Sequence, residues 1–255
     1  MGIKLDNMKI IHLGVGEAFD ETLPNNSHLV LSKTNLLLDC GYSIPPQVWK
    51  YNSDQSFLDA IYISHLHADH YFGIPALLTR MWEEKRKKPL TIICQKGAKA
   101  QIEELVDYAY KGIASKFEFK LDFIEAKEGK TINFNEFKLS FAPTIHSADN
   151  LAIKISDKTH AICYSGDGQF TEETEKLYNG ADLAIHEAFT FNEKLQNHSC
   201  IADLIGMAKR NKIKCLALTH IRRDIRKNQM GLIKSRIVKE KIKVIVPEPM
   251  REFSL

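Results

Sequence analysis

Short apolar or alternating runs recur along the whole chain: KIIHLG, HLVLS, NLLLDCG, AIYIS, LTIIC, FEFKLDFIEA, INFNEFKLSFAP, LAIKIS, HAICYSGD, DLAIHEA, KCLALTH and KVIVPEP. Runs of this kind, bounded by Gly, Pro, Asn, Asp or Ser, read as strands. Between them, IPALLTRMWEEKRK, KAQIEELVDYAY and CIADLIGMAKRN repeat apolar residues at three-to-four spacing and read as amphipathic helices. TEETEKLYNG adds a short helix that opens on a Thr cap and closes on Gly. Strand and helix alternate at both ends of the chain, while the strand-rich middle reads as meanders turning at NFNEF and SDKTH. The pattern predicts an α/β fold with two sheets face to face and helices outside, a four-layer αββα sandwich. No linker, low-complexity tract or repeat interrupts it, so residues 1–255 are expected to form one domain.

With 44% hydrophobic and 26% charged residues, the chain can bury a sizeable core. A net charge of +3 permits an anionic substrate without requiring a nucleic-acid partner. The most basic segment, from AKRNKIK through HIRRDIRKNQMGLIKSRIVKEKIK, reads as the solvated face of a terminal helix plus loop; the alternative is an anion-attracting rim near an active site. Cys40, Cys94, Cys163, Cys200 and Cys215 form no CxxC pair and sit in apolar surroundings, the usage expected of reduced, buried thiols in the cytoplasm. The opening MGIKLDNMKIIHLGVG has no apolar run suited to a signal peptide, and nothing later suits a membrane span. A cytoplasmic protein without a membrane partner is therefore expected, its fold beginning near Met8.

The stretch SHLHADHYFG, Ser64 to Gly73, follows a buried strand and places His65, His67, Asp69 and His70 within a few positions of one another. A lone histidine such as His12, His28 or His160 reads as a satisfied core or surface imidazole. Four hydrogen-bonding side chains this close are costly to bury without a common ligand, and a metal ion supplies one. Zinc suits imidazoles, and the mixed set also suits manganese or iron. Further ligands follow other apolar runs, where a sheet edge is expected: His146 in FAPTIHSAD, Asp167 in ICYSGDG and His220 in LALTHIRRD.

This order of HxHxDH, lone His, SGD and LTH resembles the metallo-β-lactamase superfamily, over most of the chain. The resemblance implies the αββα fold and two divalent metal ions, one held by His65, His67 and His146 and the other by Asp69, His70 and His220, with Asp167 bridging. Two metals ~3.5–4 Å apart can hold a bridging hydroxide nucleophile and stabilise both oxygens of an in-line displacement. Asp69 is a further candidate base.

DLAIHEAFTF and the following NHSC narrow the resemblance to the ribonuclease Z-like branch, whose members carry HEAT-like and HST motifs. Glu187 and His198 match the acid and the histidine of those motifs, and the implied role is a Glu187-oriented His198 that donates a proton to the leaving alkoxide. Here HSC replaces HST, and Phe189 stands where a threonine is common. The tRNA-processing members carry a long arm between the lone histidine and the SGD aspartate; here only SADNLAIKISDKTHAICYSG separates His146 from Asp167. The expected activity is a metal-dependent phosphodiesterase acting on a small nucleotide or RNA. The alternatives are a tRNA 3′-end endoribonuclease, a hydrolase of a lactone or thioester, and a non-catalytic metal-binding protein. The branch is often dimeric, and the MWEEKRKK end of a helix is a candidate homodimer contact, or simply a solvated helix end.

Overall fold

In the computed structural model, which describes residues 8–255, two seven-stranded sheets lie between helices. Part of the opening stretch, residues 1–7, lies outside the described residues. The first sheet runs, edge to edge, through β14 (Arg251–Ser254), β1 (Lys9–Gly14), β2 (Ser27–Leu31), β3 (Asn35–Leu38), β4 (Ala60–Tyr62), β5 (Leu90–Gln95) and β6 (Leu121–Ala126). The second runs through β13 (Lys243–Ile245), β12 (Cys215–Thr219), β11 (Leu183–Glu187), β10 (Ala161–Tyr164), β9 (Leu151–Ser156), β8 (Phe137–Pro143) and β7 (Thr131–Phe134).

The alternation of the strands explains the layering. Along β1, Ile10 faces the second sheet while Ile11 and Leu13 face helices; along β3, Leu36 and Leu38 face the second sheet and Leu37 faces helices. Helices α1 (Pro45–Tyr51), α2 (Ala68–Tyr71), α3 (Ile74–Glu83) and α4 (Ala98–Ala109) lie on the first sheet's side. On the second sheet's side lie α5 (Glu172–Tyr178), α6 (Ile201–Arg210) and α7 (Arg223–Ile237). The predicted αββα sandwich is the observed fold. The cap foreseen for α5 is a reciprocal one, the Thr171 and Thr174 side chains each accepting from the other's backbone N–H.

Strands β3 to β6 are parallel to one another, as are β10 to β13. Covered on both faces, β4, β11 and β12 are wholly buried and need continuous apolar sequence. Their carboxyl ends emerge at one edge, where ligands of open α/β sheets bind. Strand β14 pairs with β1, although REFS has no apolar pattern to announce it.

Two charged segments are tied down in part. In the MWEEKRKK segment Glu83, Lys85, Lys87 and Lys88 are exposed, but Met81 and Arg86 are buried, and the Arg86 guanidinium donates to the carbonyls of Gln55 (2.6 Å), Lys88 (2.7 Å), Leu58 (2.8 Å) and Pro89 (2.7 Å). The basic segment at the start of α7 is charge-paired, with Arg223 on Glu17, Arg226 on Asp20 and Lys227 on Glu21, so the acids of the loop after β1 neutralise it.

Replacing Arg86 by Ala strands four backbone acceptors, and we expect a loss of about 3 kcal/mol, since each buried unsatisfied group costs roughly 1–3 kcal/mol. Urea denaturation measures it; a loss below about 1 kcal/mol would mean that water takes over the carbonyls.

Candidate metal centre

The HxHxDH stretch leaves β4 and forms the short helix α2, which turns Asp69 and His70 inward. His146 follows β8, Asp167 follows β10, and His220 follows β12. The fold brings all seven to one edge in two groups: His65, His67 and His146; and Asp69, His70, Asp167 and His220. In each group, one ligand atom per residue lies within 4.8 Å of every other. The groups adjoin, since the His65 and His70 ring centroids are 4.1 Å apart.

Backbone shape aims these side chains. Asp167 sits between Gly166 (φ +62°) and Gly168 (φ +103°), and a Cβ on Gly166 would lie 2.2 Å from Asn150 Oδ1. Only glycine suits both the left-handed conformation and that approach. The Asn150 carbonyl oxygen accepts from the Asp167 N–H at 3.3 Å, and its amide donates to the Ser165 carbonyl at 2.7 Å, fixing the turn. His220 itself has φ +53°, a conformation that costs a non-glycine residue energy and that clusters at functional sites.

The electrostatics favour a cation. His65 Nε2, His70 Nε2 and Asp167 Oδ1 are buried without a hydrogen-bond partner. Buried polar atoms rarely lack partners, so converging lone pairs call for a shared one. Burial would raise the carboxyl pKa of Asp69, but the His70 charge and the His220 hydrogen bond hold it well below the usual range. Burial would lower His220, but Asp167 and Asp69 raise it to about 9. His70 is likewise raised against burial, by Asp69, Asp167 and Asp39. Carboxylates thus dominate the local field, and imidazole and carboxylate donors together suit divalent ions.

Beside this cluster, Glu187 is fully buried at the end of β11. Its Oε1 accepts from the backbone N–H of Ser199 (2.7 Å) and Gly168 (3.2 Å), and its Oε2 lies 3.4 Å from His198 Nδ1. Burial pushes the Glu187 carboxyl up, and the bond to His198 opposes it. The Phe189 ring lies against the His198 imidazole, with centroids 4.1 Å apart and planes 17° from parallel. A cavity of about 730 Å³ opens above, walled by Phe19, Tyr42, Phe189 and Arg222 and floored by ligands of both groups.

Sequence reading missed Asp39, which directly follows β3 in NLLLDCG. Its Oδ2 accepts from His70 Nδ1 (2.7 Å), the Tyr164 hydroxyl (2.7 Å) and the Ser64 hydroxyl (2.7 Å), and its Oδ1 from the Ser64 N–H (2.7 Å). The signal that singled out Asp167, a carboxylate closing a buried apolar run, was present there too.

Comparison with known proteins agrees with this geometry. The ribonuclease Z of Methanocaldococcus jannaschii is 28% identical, covering 97% of this chain and 97% of its own length. That alignment spans 313 positions against a chain of 255 residues, so the relative carries segments without a counterpart here. The metallo-β-lactamase fold protein YhfI from Bacillus subtilis superposes with a TM-score of 0.82 over 98% of this chain and 99% of its own, at 22% identity. The short form of human tRNase Z gives 0.78 over 96% and 98%, also at 22% identity. The family model described as Anti-Pycsar protein Apyc1 matches residues 8–242. The chain belongs to this Anti-Pycsar protein Apyc1 family, within the ribonuclease Z-like branch of the metallo-β-lactamase superfamily.

Proposed function

We propose that this protein is a dinuclear metal-dependent phosphodiesterase of small nucleotide diesters, acting as one hydrolase domain in the cytoplasm. The observation that carries the reading is the adjacency of the two His/Asp groups at one cavity floor to His198, which also lines the cavity and is backed by the buried Glu187. His65, His67 and His146 would hold one divalent ion, and Asp69, His70 and His220 the other, with Asp167 shared between them. Zinc fits these donors best, and manganese or iron is accommodated. When bound, the ions activate water near neutral pH and polarise the phosphoryl oxygens.

The chain's own residues supply the rest. Glu187, fixed by two backbone N–H groups, orients His198 through Nδ1, so that the remaining ring nitrogen carries the proton to the leaving alkoxide. Phe189 backs the imidazole and limits its rotation. Asp39 fixes the His70 ring from behind, the usual role of a carboxylate beyond a metal ligand. A small diester is favoured over tRNA because β9, a turn and β10 take up the sequence between His146 and Asp167, leaving no arm there. Five free, buried cysteines accord with a reducing compartment, and among the described residues no helix is long and apolar enough to cross a membrane.

Metal removal by a chelator, or the Asp167→Ala substitution, is expected to abolish hydrolysis of bis(p-nitrophenyl) phosphate. Metal analysis should find about two ions per chain in the wild type and fewer in the variant; full diesterase activity in the metal-free protein would refute the reading. His198→Ala should keep its metal and its activity on p-nitrophenyl esters, yet lose roughly 10²–10⁴-fold on a diester with an alkoxide leaving group. Equal loss on both ester types would deny His198 the donor's role. Asp39→Ala should weaken metal binding about 10–100-fold in a competition titration with a chromophoric chelator; unchanged affinity would leave Asp39 a purely structural part.

A further inference from the structure

The mouth of the cavity has a property that the metal chemistry does not need. Phe19 is 76% exposed and Tyr42 51% exposed, and both line the cavity whose floor is the His/Asp cluster. Large rings turned to water beside a polar site mark a ligand surface when they are held there. Phe19 is held: it lies in the loop joining β1 to β2, and its own N–H donates to Glu17 Oε2 at 2.8 Å. The loop is anchored on α7 by three ion pairs, Glu17 to Arg223, Asp20 to Arg226 and Glu21 to Lys227, of which the Glu17 and Asp20 side chains are buried. Asp20 Oδ1 also accepts from the N–H groups of Thr22 and Leu23, both at 2.9 Å. The Tyr42 hydroxyl donates to the carbonyl of Ala18, so the second ring is tied to the same loop. The Arg223 guanidinium lies 6.0 Å from the Phe19 ring centroid.

We infer that Phe19 and Tyr42 form a stacking wall for the planar heterocycle of a nucleotide whose phosphate rests on the His/Asp floor, and that this wall sets selectivity for substrates carrying a base. The inference rests on the reading of the cavity as a phosphodiesterase site and adds to it the residues that recognise the non-reacting part of the substrate. The chemistry of the two ends selects the ligand class. A floor suited to cations and phosphate oxygens lies beneath a wall of aromatic rings, and a nucleotide presents an anion at one end and a flat π-system at the other. Stacking accepts any base, so the wall would favour nucleotides over simple phosphate esters without choosing among bases. Because the loop is fixed by ion pairs before the ligand arrives, little ordering is needed on binding.

The test is calorimetric titration of zinc-loaded protein with AMP and with ribose 5-phosphate, which differ only in the base. We expect AMP to bind wild type about tenfold more tightly. Phe19→Ala should lower AMP affinity to the ribose 5-phosphate value, and Phe19→Tyr should restore it. Equal affinities in wild type, absence of AMP binding, or a Phe19→Ala variant that keeps the base preference would each overturn the inference. So would a variant that changes only the sedimentation coefficient, because Phe19 would then belong to a contact between two copies of the chain. Failure of the hydrolase reading is separable: it appears as no turnover of bis(p-nitrophenyl) phosphate, whatever the AMP titration gives.

Discussion

The Asp39 carboxylate is the interaction on which the site depends. It accepts four hydrogen bonds, from His70, from the Ser64 backbone and hydroxyl, and from Tyr164. His70 and Ser64 belong to the first sheet's edge, whereas Tyr164 ends β10 of the second. One buried carboxyl group therefore fastens the two sheets together directly beneath the His/Asp cluster. A buried carboxylate is costly unless fully hydrogen-bonded, and this one is so only when both sheets are docked in register. Correct packing of the sandwich and correct aim of His70 are then one condition.

The site also concentrates backbone strain. Asp39 (φ +58°), Asn197 (φ +67°) and His220 (φ +53°) all occupy the left-handed region, and each belongs to the centre or touches it. The Asn197 carbonyl lies 3.1 Å from His146 Nδ1, and the His220 N–H donates to the carbonyl of Val15 at 2.9 Å. Such conformations persist where the surrounding structure over-determines them, and here parallel strands buried on both faces provide that rigidity. The loops can hold uncommon shapes because the strands that launch them cannot move.

The layers were legible because strands and helices announce themselves through local periodicity. Runs such as LTIIC and CLALT appear where expected, and the turns at NFNEF and SDKTH join β7 to β8 and β9 to β10. Strand β14 was not legible, since an edge strand with one partner needs no apolar run. The burial of Arg86 was not legible for a related reason: it is made possible by the carbonyls of Gln55 and Leu58, some thirty residues earlier, which no local pattern reports.

By itself the sequence singled out the candidate site: seven His and Asp side chains and the Glu187/His198 pair stand at the ends of apolar runs, and buried strands can end only at sheet edges. It also determined the fold class, because period-two and helical patterns are properties of neighbouring residues. Only the tertiary structure decided which ligands share a group, that Asp39 rather than a nearer residue fixes His70, that the arginines and lysine at the start of α7 are spent on Glu17, Asp20 and Glu21, and that Phe19 is left facing the cavity. Those outcomes depend on pairings between residues from about thirty to over two hundred positions apart, which are set by how the two sheets dock and not by anything a local stretch encodes.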